Sequence, residues 1–158
     1  MPVSQIGSAG LASGGVAQTN VGSGVAGTGP AFSAYQSSAQ TLSSVTATKI
    51  QFQTEEFDTN NNFASSTFTP TVAGYYIVCA AVRTASSATT VRPAIYKNGG
   101  QYKIGGESSG SSQGHVSTIV FCNGTTDFIE TYALFVTGQN TSAGISDTWF
   151  NGAMVRSA

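Results

Sequence analysis

Residues 68–82 read Phe68-Thr-Pro-Thr-Val-Ala-Gly-Tyr-Tyr-Ile-Val-Cys-Ala-Ala-Val82. A turn built from Pro70 and Gly74 leads directly into a β-branched and aromatic run, which is typical of a turn that feeds a strand. We therefore predict that residues 75–84 form the central strand of the fold.

Both faces of this predicted strand are apolar. Strand alternation assigns its side chains to two sets, which are Tyr75, Ile77, Cys79 and Ala81 on one face and Tyr76, Val78, Ala80 and Val82 on the other. In a half-exposed antiparallel sheet, one of these two sets should be polar. Because the chain has few other apolar segments to spare, we expect another copy of the same chain to cover the second face.

The composition argues against several classes of partner. Charged residues make up 8% of the 158 residues, against roughly 25% in ordinary soluble domains. The net charge is −1 with six Lys and Arg residues, so no basic surface is expected to bind a nucleic-acid backbone or an anionic membrane. We expect a single globular domain whose surface packs largely against other protein.

Short strand-like segments follow one another along the whole globular part. They cover residues 49–53 with Ile50 and Phe52 inward, then 63–68, 91–96, 101–104, 116–122, 128–136 and 149–155. Residues 55–63 are interpreted as a turn-rich hairpin segment, and residues 97–100 and 123–124 as tight turns that need positive φ. Pro93 is expected to place its strand at a sheet edge or at a bulge. No helical periodicity persists for three turns, which predicts an all-β sandwich or jelly roll.

Residues 1–29 form a Gly/Ser-rich lead that has two interpretations. It is either a disordered linker or an extended arm that attaches to a partner through single apolar residues, namely Val3, Ile6, Leu11, Val16, Val21 and Val25. At about 3.3 Å per residue, such an arm would reach on the order of 90 Å. We adopt the arm and divide the chain into an attachment arm, 1–29, and a globular domain, 30–158.

The chain begins without the basic start and apolar core of a secretory signal, and no window approaches the length of a transmembrane segment. We therefore expect a protein made without export through a signal peptide and without membrane insertion. Cys79 and Cys122 lie in apolar strand-like runs, where free thiols are favoured over a disulfide.

Little in the sequence indicates catalysis. His115 is the only histidine and is interpreted as a surface or interface residue, since no triad can be assembled around it. Glu55, Glu56 and Asp58 precede an Asn run, but their spacing fits no defined calcium loop. Asp127 and Glu130 fall on opposite faces by alternation. We expect no enzyme, metal or cofactor.

Tyr35, Tyr96 and Tyr102 are expected to be exposed. They suit either a sugar-binding or protein-binding platform or ordinary sandwich packing, and we favour packing.

Five segments occur in a specific order and spacing. They are Ala31-Phe-Ser-Ala34 after the Gly-rich lead, Ile50-Gln-Phe52, Phe68-Thr-Pro-Thr-Val-Ala-Gly-Tyr-Tyr76, Ile95-Tyr-Lys-Asn-Gly99 and Trp149-Phe-Asn-Gly152. Together they resemble the globular head of the complement C1q family over nearly all of residues 31–156. The resemblance implies a ten-stranded antiparallel jelly roll, shared with the tumour-necrosis-factor superfamily, that assembles as a tight homotrimer. The residues we assign to the trimer interface and core are Tyr75, Tyr76, Val78, Val82, Phe128, Tyr132 and Phe150.

The departures from that family also carry information. The lead has neither the strict Gly-X-Y triplet nor the prolines of a collagen stalk, and the secretory signal of the animal proteins is missing. A stalkless version with an N-terminal arm is similar to the copies in tailed bacteriophages and prophages, which serve as virion surface proteins.

The first functional hypothesis is therefore a non-enzymatic, homotrimeric capsid decoration or cement protein on the virion surface. Its arm would bind the major capsid protein or another virion protein. The alternative is the tip of a tail fibre or spike that binds a host glycan or protein through loops 85–90, 105–114 and 138–144. A secreted signalling ligand is disfavoured by the missing signal peptide.

Overall fold

The computed structural model describes residues 29–86, 90–110 and 113–158. Every regular element in this part of the chain is a β-strand, as the sequence predicts. The strands are β1 (Ala31–Tyr35), β2 (Thr41–Leu42), β3 (Thr48–Lys49), β4 (Thr54–Asp58), β5 (Phe63–Ala64), β6 (Thr67–Phe68), β7 (Gly74–Arg83), β8 (Thr90–Lys97), β9 (Gly100–Ile104), β10 (Ser108–Ser109), β11 (Gln113–Cys122), β12 (Ile129–Phe135), β13 (Gln139–Asn140) and β14 (Trp149–Ser157). None of the described residues forms a helix that could cross a bilayer.

The strands form two antiparallel sheets that pack face to face. The five-stranded sheet has the order β11-β7-β14-β1-β4, and the seven-stranded sheet follows the path β10-β8-β12-β6-β5, with β9 beside β8 and β3 beside β12. The two-residue strands β2 and β13 pair with each other separately. In the described residues, eight strands span five residues or more and six span two, so the predicted total of ten strands is not confirmed.

The core lies between the two sheets and is centred on phenylalanines. The Phe32 ring on β1 stacks on Phe63 and Phe68 with centroid distances of 4.8 and 4.3 Å. It also meets the edge of Phe150 on β14 at 4.8 Å. Because Phe32 and Phe150 belong to one sheet while Phe63 and Phe68 belong to the other, this cluster joins the two layers of the sandwich.

Two strand predictions need correction around residues 49–68. Residues 63–68 are not one strand, because a tight turn with Ser65 and Ser66 at φ 50° and 60° folds them into the β5–β6 hairpin. Ile50 and Phe52 are buried as predicted, but their segment follows β3 as irregular backbone. The Phe52 N–H donates to the Ser66 hydroxyl at 2.8 Å rather than to a neighbouring strand. Part of the predicted hairpin segment 55–63 is β4, an edge strand.

Pro93 does not place its strand at a sheet edge. β8 pairs with β12 on one side, and with β9 and β10 on the other. Pro93 falls between the β9 pairing, which ends at Ala94, and the β10 pairing, which begins at Val91. A proline lacks the N–H that a continuous ladder needs, so the interruption between β9 and β10 is where it can be accommodated.

Asp127 ties together the two turns that were predicted from Asn-Gly pairs. Asn98 and Gly99 have φ values of 53° and 76°, and Gly124 has 73°, as those predictions require. The Asp127 carboxylate accepts from the Asn98 side-chain amide at 2.7 Å and from the Asn123 backbone N–H at 3.0 Å. It also lies 2.9 Å from the Lys97 ammonium. The Asn98 hydrogen bond and the Lys97 contacts lower the pKa of Asp127 below its usual range.

This carboxylate should make stability depend on pH. Its pKa is lower in the folded chain than in the unfolded chain, so its stabilisation is complete above the unfolded value of about 3.9 and is lost as the pH falls through the folded value. We expect the melting temperature of Asp127→Asn to fall less than that of the wild type between about pH 6 and pH 3. Differential scanning calorimetry measures both slopes. Glu107→Gln, which alters a carboxylate 60% exposed beside Arg92, is the control and should keep the wild-type slope.

Candidate protein-interaction surface

The outward side of the five-stranded sheet carries a cluster of exposed apolar residues. Tyr75, Ile77, Ile119 and Phe121 are 44%, 39%, 57% and 40% exposed. They lie side by side because Tyr75 pairs with Phe121, and Ile77 with Ile119, in the β7–β11 ladder. Partners in an antiparallel ladder point to the same side of a sheet. We call this outward side the apolar face.

The central strand is therefore apolar on both sides, as its sequence predicts. Tyr76, Val78, Ala80 and Val82 are all buried in the core. Of the opposite set, Tyr75 and Ile77 are exposed, Cys79 is half-buried and Ala81 is buried. Around Tyr75 and Ile77, this second side has no cover within the described residues of one chain. Isolated apolar residues are common on protein surfaces, but a contiguous apolar patch indicates an interaction site.

Two grooves divide the apolar face. The central groove is lined by Ala31, Phe57, Ile77 and Ala153, together with Ser33 and Asn151. The basal groove is lined by Tyr75 and Ile119 and by the last four residues, 155–158. Across the middle of the sheet runs a more polar row, in which the Ser33 hydroxyl donates to the Glu56 carboxylate at 2.7 Å.

The outward side of the other sheet has a different character. Its ionic groups are paired, with Lys49 2.7 Å from Glu130 and Arg92 3.2 Å from Glu107. Tyr96 and Tyr132 stack on each other at 3.9 Å. Tyr96 and Tyr35 are half-buried rather than exposed as predicted, whereas Tyr102 is exposed. These paired charges suit a surface in contact with water, so the asymmetry between the sheets marks the apolar face as the candidate interaction surface.

The residues assigned to the trimer interface and core fall in three places. Tyr75 lies on the apolar face, whereas Tyr76, Val78, Val82 and Phe150 point into the sandwich core and are fully buried within one chain. Phe128 is half-buried in the turn before β12, and Tyr132 is half-buried on the outward side of the seven-stranded sheet. Only Tyr75 of this set is placed to meet another molecule across the apolar face.

Sequence reasoning placed Ile77 in one of the two apolar sets but did not assign it to the interface, and it missed Ile119, Phe121 and Phe57 as surface residues. A signal was present, because residues 116–122 have apolar side chains on both alternating sets, as residues 75–82 do. The register that aligns these two strands was not readable from the sequence. The six arm residues, Val3 to Val25, lie outside the described residues.

The remaining candidates show no assembled chemistry. His115 is exposed on the apolar face, and its ring centroid is 6.2 Å from that of Trp149. The described residues contain no group of three His, Cys, Asp or Glu side chains able to hold a metal ion. Asp58 accepts from the Phe63 backbone N–H at 2.6 Å, so this acidic residue supports a turn.

Both cysteines are free thiols. Cys122 faces the core, where burial raises its pKa to about 11. Cys79 belongs to the apolar face, and burial also raises its pKa.

The described parts of the three loops proposed to bind a ligand converge at one end of the sandwich. The Ala85 N–H donates to the Asn140 carbonyl at 3.0 Å, and the Thr84 hydroxyl lies 3.4 Å from the Gly110 carbonyl. Residue 29 and the end of β14 lie at the opposite end, because β1 and β14 pair from Ala31 and Ala153 onwards. Parts of the loops, 87–89 and 111–112, are not among the described residues.

The sequence matches no protein-family model and no curated protein. The fold is similar to solved structures. Murine APRIL at pH 8.0 has a TM-score of 0.65 at 9% identity and covers 80% of this chain and 98% of its own. Eiger TNF from S. frugiperda has a TM-score of 0.61 at 8% identity, covering 82% and 95%. The globular domain of zebrafish complement 1qA has a TM-score of 0.58 at 16% identity, covering 82% and 99%. The chain therefore has the C1q/TNF-like jelly-roll fold that its sequence predicts.

Proposed function

We propose that the protein is a non-enzymatic, homotrimeric structural protein of a phage virion, and that it decorates and reinforces the capsid. The observation that carries the proposal is the apolar face on the five-stranded sheet, which lacks cover within the described part of a single chain. A second copy packed over this face would remove its side chains from water.

The energetics favour several contacts over one. Burying one large apolar side chain contributes about 1.5–3 kcal/mol at most, whereas association costs about 4–15 kcal/mol in lost freedom of motion. The exposed residues Phe57, Tyr75, Ile77, Ile119 and Phe121 supply enough apolar area only if most of them are covered together. In a closed ring of three subunits, every subunit makes two such contacts, so each face and its counterpart are both covered.

The arm junction and the loops lie at opposite ends of the domain, and this arrangement supports attachment through the arm. The chain enters at the end of the sandwich that holds the basal groove, while the loops around Ala85, Gly110 and Asn140 lie at the far end. An arm that binds the major capsid protein would therefore hold the base of the trimer against the shell and direct the loops outward.

The same placement of the arm junction and the loops at opposite ends supports the alternative function. A trimer fixed at its base in a tail fibre or spike would present the three converging loops to a host glycan or protein. Adsorption assays with the recombinant trimer distinguish the two functions. Binding to host cells, together with a few copies per particle at the tail, would replace the capsid assignment.

The particle experiment uses a phage that encodes the chain, with and without residues 2–28. Quantitative mass spectrometry of purified particles should find the full-length chain in many copies relative to the major capsid protein. The deletion should lower this occupancy at least ten-fold while the isolated protein remains trimeric. Absence of the full-length chain from particles, or equal occupancy without the arm, would overturn the proposal.

A further inference from the structure

The basal groove lies next to the point where the arm joins the domain. A side chain added at Gly29 would come within 2.5 Å of Met154, and the Pro30 carbonyl accepts from the Met154 N–H at 3.0 Å. The chain therefore reaches β1 alongside the end of β14. The next residue of β14 is Val155, which lines the groove.

The arm is long enough to cross this groove. From β1, the sheet continues through β14 and β7 to β11, and three spacings of about 4.8 Å place Ile119 roughly 14 Å away. At about 3.3 Å per residue, Val25 can lie up to roughly 13 Å from Gly29, and Val21 up to roughly 26 Å. Val25 is therefore within reach of Tyr75, two strands away, and Val21 is within reach of both Tyr75 and Ile119.

The chemistry of the arm matches that of the groove. Residues 1–28 contain no Asp, Glu, Lys or Arg, so the segment brings no side-chain charge onto an apolar surface. Val21 and Val25 are separated by Gly-Ser-Gly, and glycine lets a backbone approach an aromatic ring closely. Arg156 is exposed, so its guanidinium can stay in water at the rim.

We propose that Val21 and Val25 of the chain's own arm occupy the basal groove, and that the earlier residues Val3 to Val16 are the part available to a virion partner. This inference goes beyond the proposed function because it assigns the two halves of the arm to different surfaces. It leaves the central groove, around Ile77 and Phe57, for the second copy of the chain.

The test follows hydrogen–deuterium exchange of residues 119–121 and 155–158 by mass spectrometry. The full chain and a chain lacking residues 2–20 should exchange equally, because both keep the two valines. A chain lacking 2–28 should exchange at least ten-fold faster at 155–158, as should the full-length double variant Val21→Asp/Val25→Asp. The double variant Val3→Asp/Ile6→Asp is the matched control and should behave like the full chain.

Repeating the exchange in an Ile77→Asp background separates this inference from the proposed function, because sedimentation of the same samples gives their oligomeric state. Protection that persists in a monomeric Ile77→Asp chain supports binding by the chain's own arm. If residues 155–158 are protected from exchange only in assembled protein, the groove is occupied by a second copy. That result overturns this inference but leaves the proposed trimer intact. Unchanged exchange in Val21→Asp/Val25→Asp also overturns it.

Discussion

A single Ile77→Asp substitution should convert the assembled protein into monomers that remain folded. Ile77 is 39% exposed within one chain and lines the central groove, so an aspartate there stays in contact with water in the monomer. In the assembly, the same carboxylate would be covered without a partner, which is strongly unfavourable. We expect the dissociation constant to rise at least 100-fold, which corresponds to about 2.7 kcal/mol.

Ile104→Asp provides the matched control. Ile104 is 49% exposed on β9, at the outward side of the seven-stranded sheet, so the same substitution is made in another exposed strand position. Sedimentation velocity over a range of concentrations should show wild-type assembly for Ile104→Asp and monomers for Ile77→Asp, with equal far-ultraviolet circular dichroism. Identical assembly of the two variants, or a wild type that is monomeric at micromolar concentration, would refute the role given to the apolar face.

The largest loss of stability is expected for Phe32→Ala. Phe32 is fully buried, and its ring contacts those of Phe63, Phe68 and Phe150 across both sheets. Removing the ring deletes its buried surface and leaves a cavity that three rigid neighbours cannot fill. Such changes cost about 3–5 kcal/mol, which is a large part of the total stability of a domain.

Tyr102→Ala removes an aromatic ring of similar size from an exposed position on β9. The Lys103 ammonium lies 5.5 Å from the Tyr102 ring, and an exposed contact of this kind contributes about 0.5–1 kcal/mol. Urea unfolding should therefore give a loss within about 1 kcal/mol for Tyr102→Ala. The Phe32→Ala and Tyr102→Ala variants should both be measured in the Ile77→Asp background, so that subunit dissociation does not contribute to the free energy of unfolding. A loss at Phe32 no greater than that at Tyr102 would contradict the central position of the Phe32 cluster.

Several features of the fold were predictable because their causes are local. The Asn98-Gly99 turn follows from residues that tolerate positive φ. The absence of helix among the described residues follows from the missing 3.6-residue period. Other features were not local. Ser65 and Ser66 adopt positive φ inside an apparent strand, in a turn whose Ser66 hydroxyl accepts a hydrogen bond from the Phe52 N–H, fourteen residues away. Pro93 sits inside a sheet because two separate strands, β9 and β10, leave a gap beside it.

The candidate surface likewise has one feature that was predictable from neighbouring residues and others that depend on distant ones. Alternation in one strand predicted that residues 75–82 have two apolar sides, since that pattern depends only on adjacent residues pointing in opposite directions. It could not tell which side meets the core, and most of the residues assigned to the interface and core, such as Val78 and Phe150, point inward. Register decided that Ile77 lies beside Ile119, and Tyr75 beside Phe121.

By itself, the sequence determined that this chain is a β-sandwich whose central strand has apolar side chains on both faces. It could do so because periodicity and turn chemistry are properties of neighbouring residues. Only the tertiary structure decided where the exposed apolar groups gather and that the arm joins the domain beside them. Pairing between distant strands sets those positions, and the pairing depends on how the whole chain closes around its phenylalanine core.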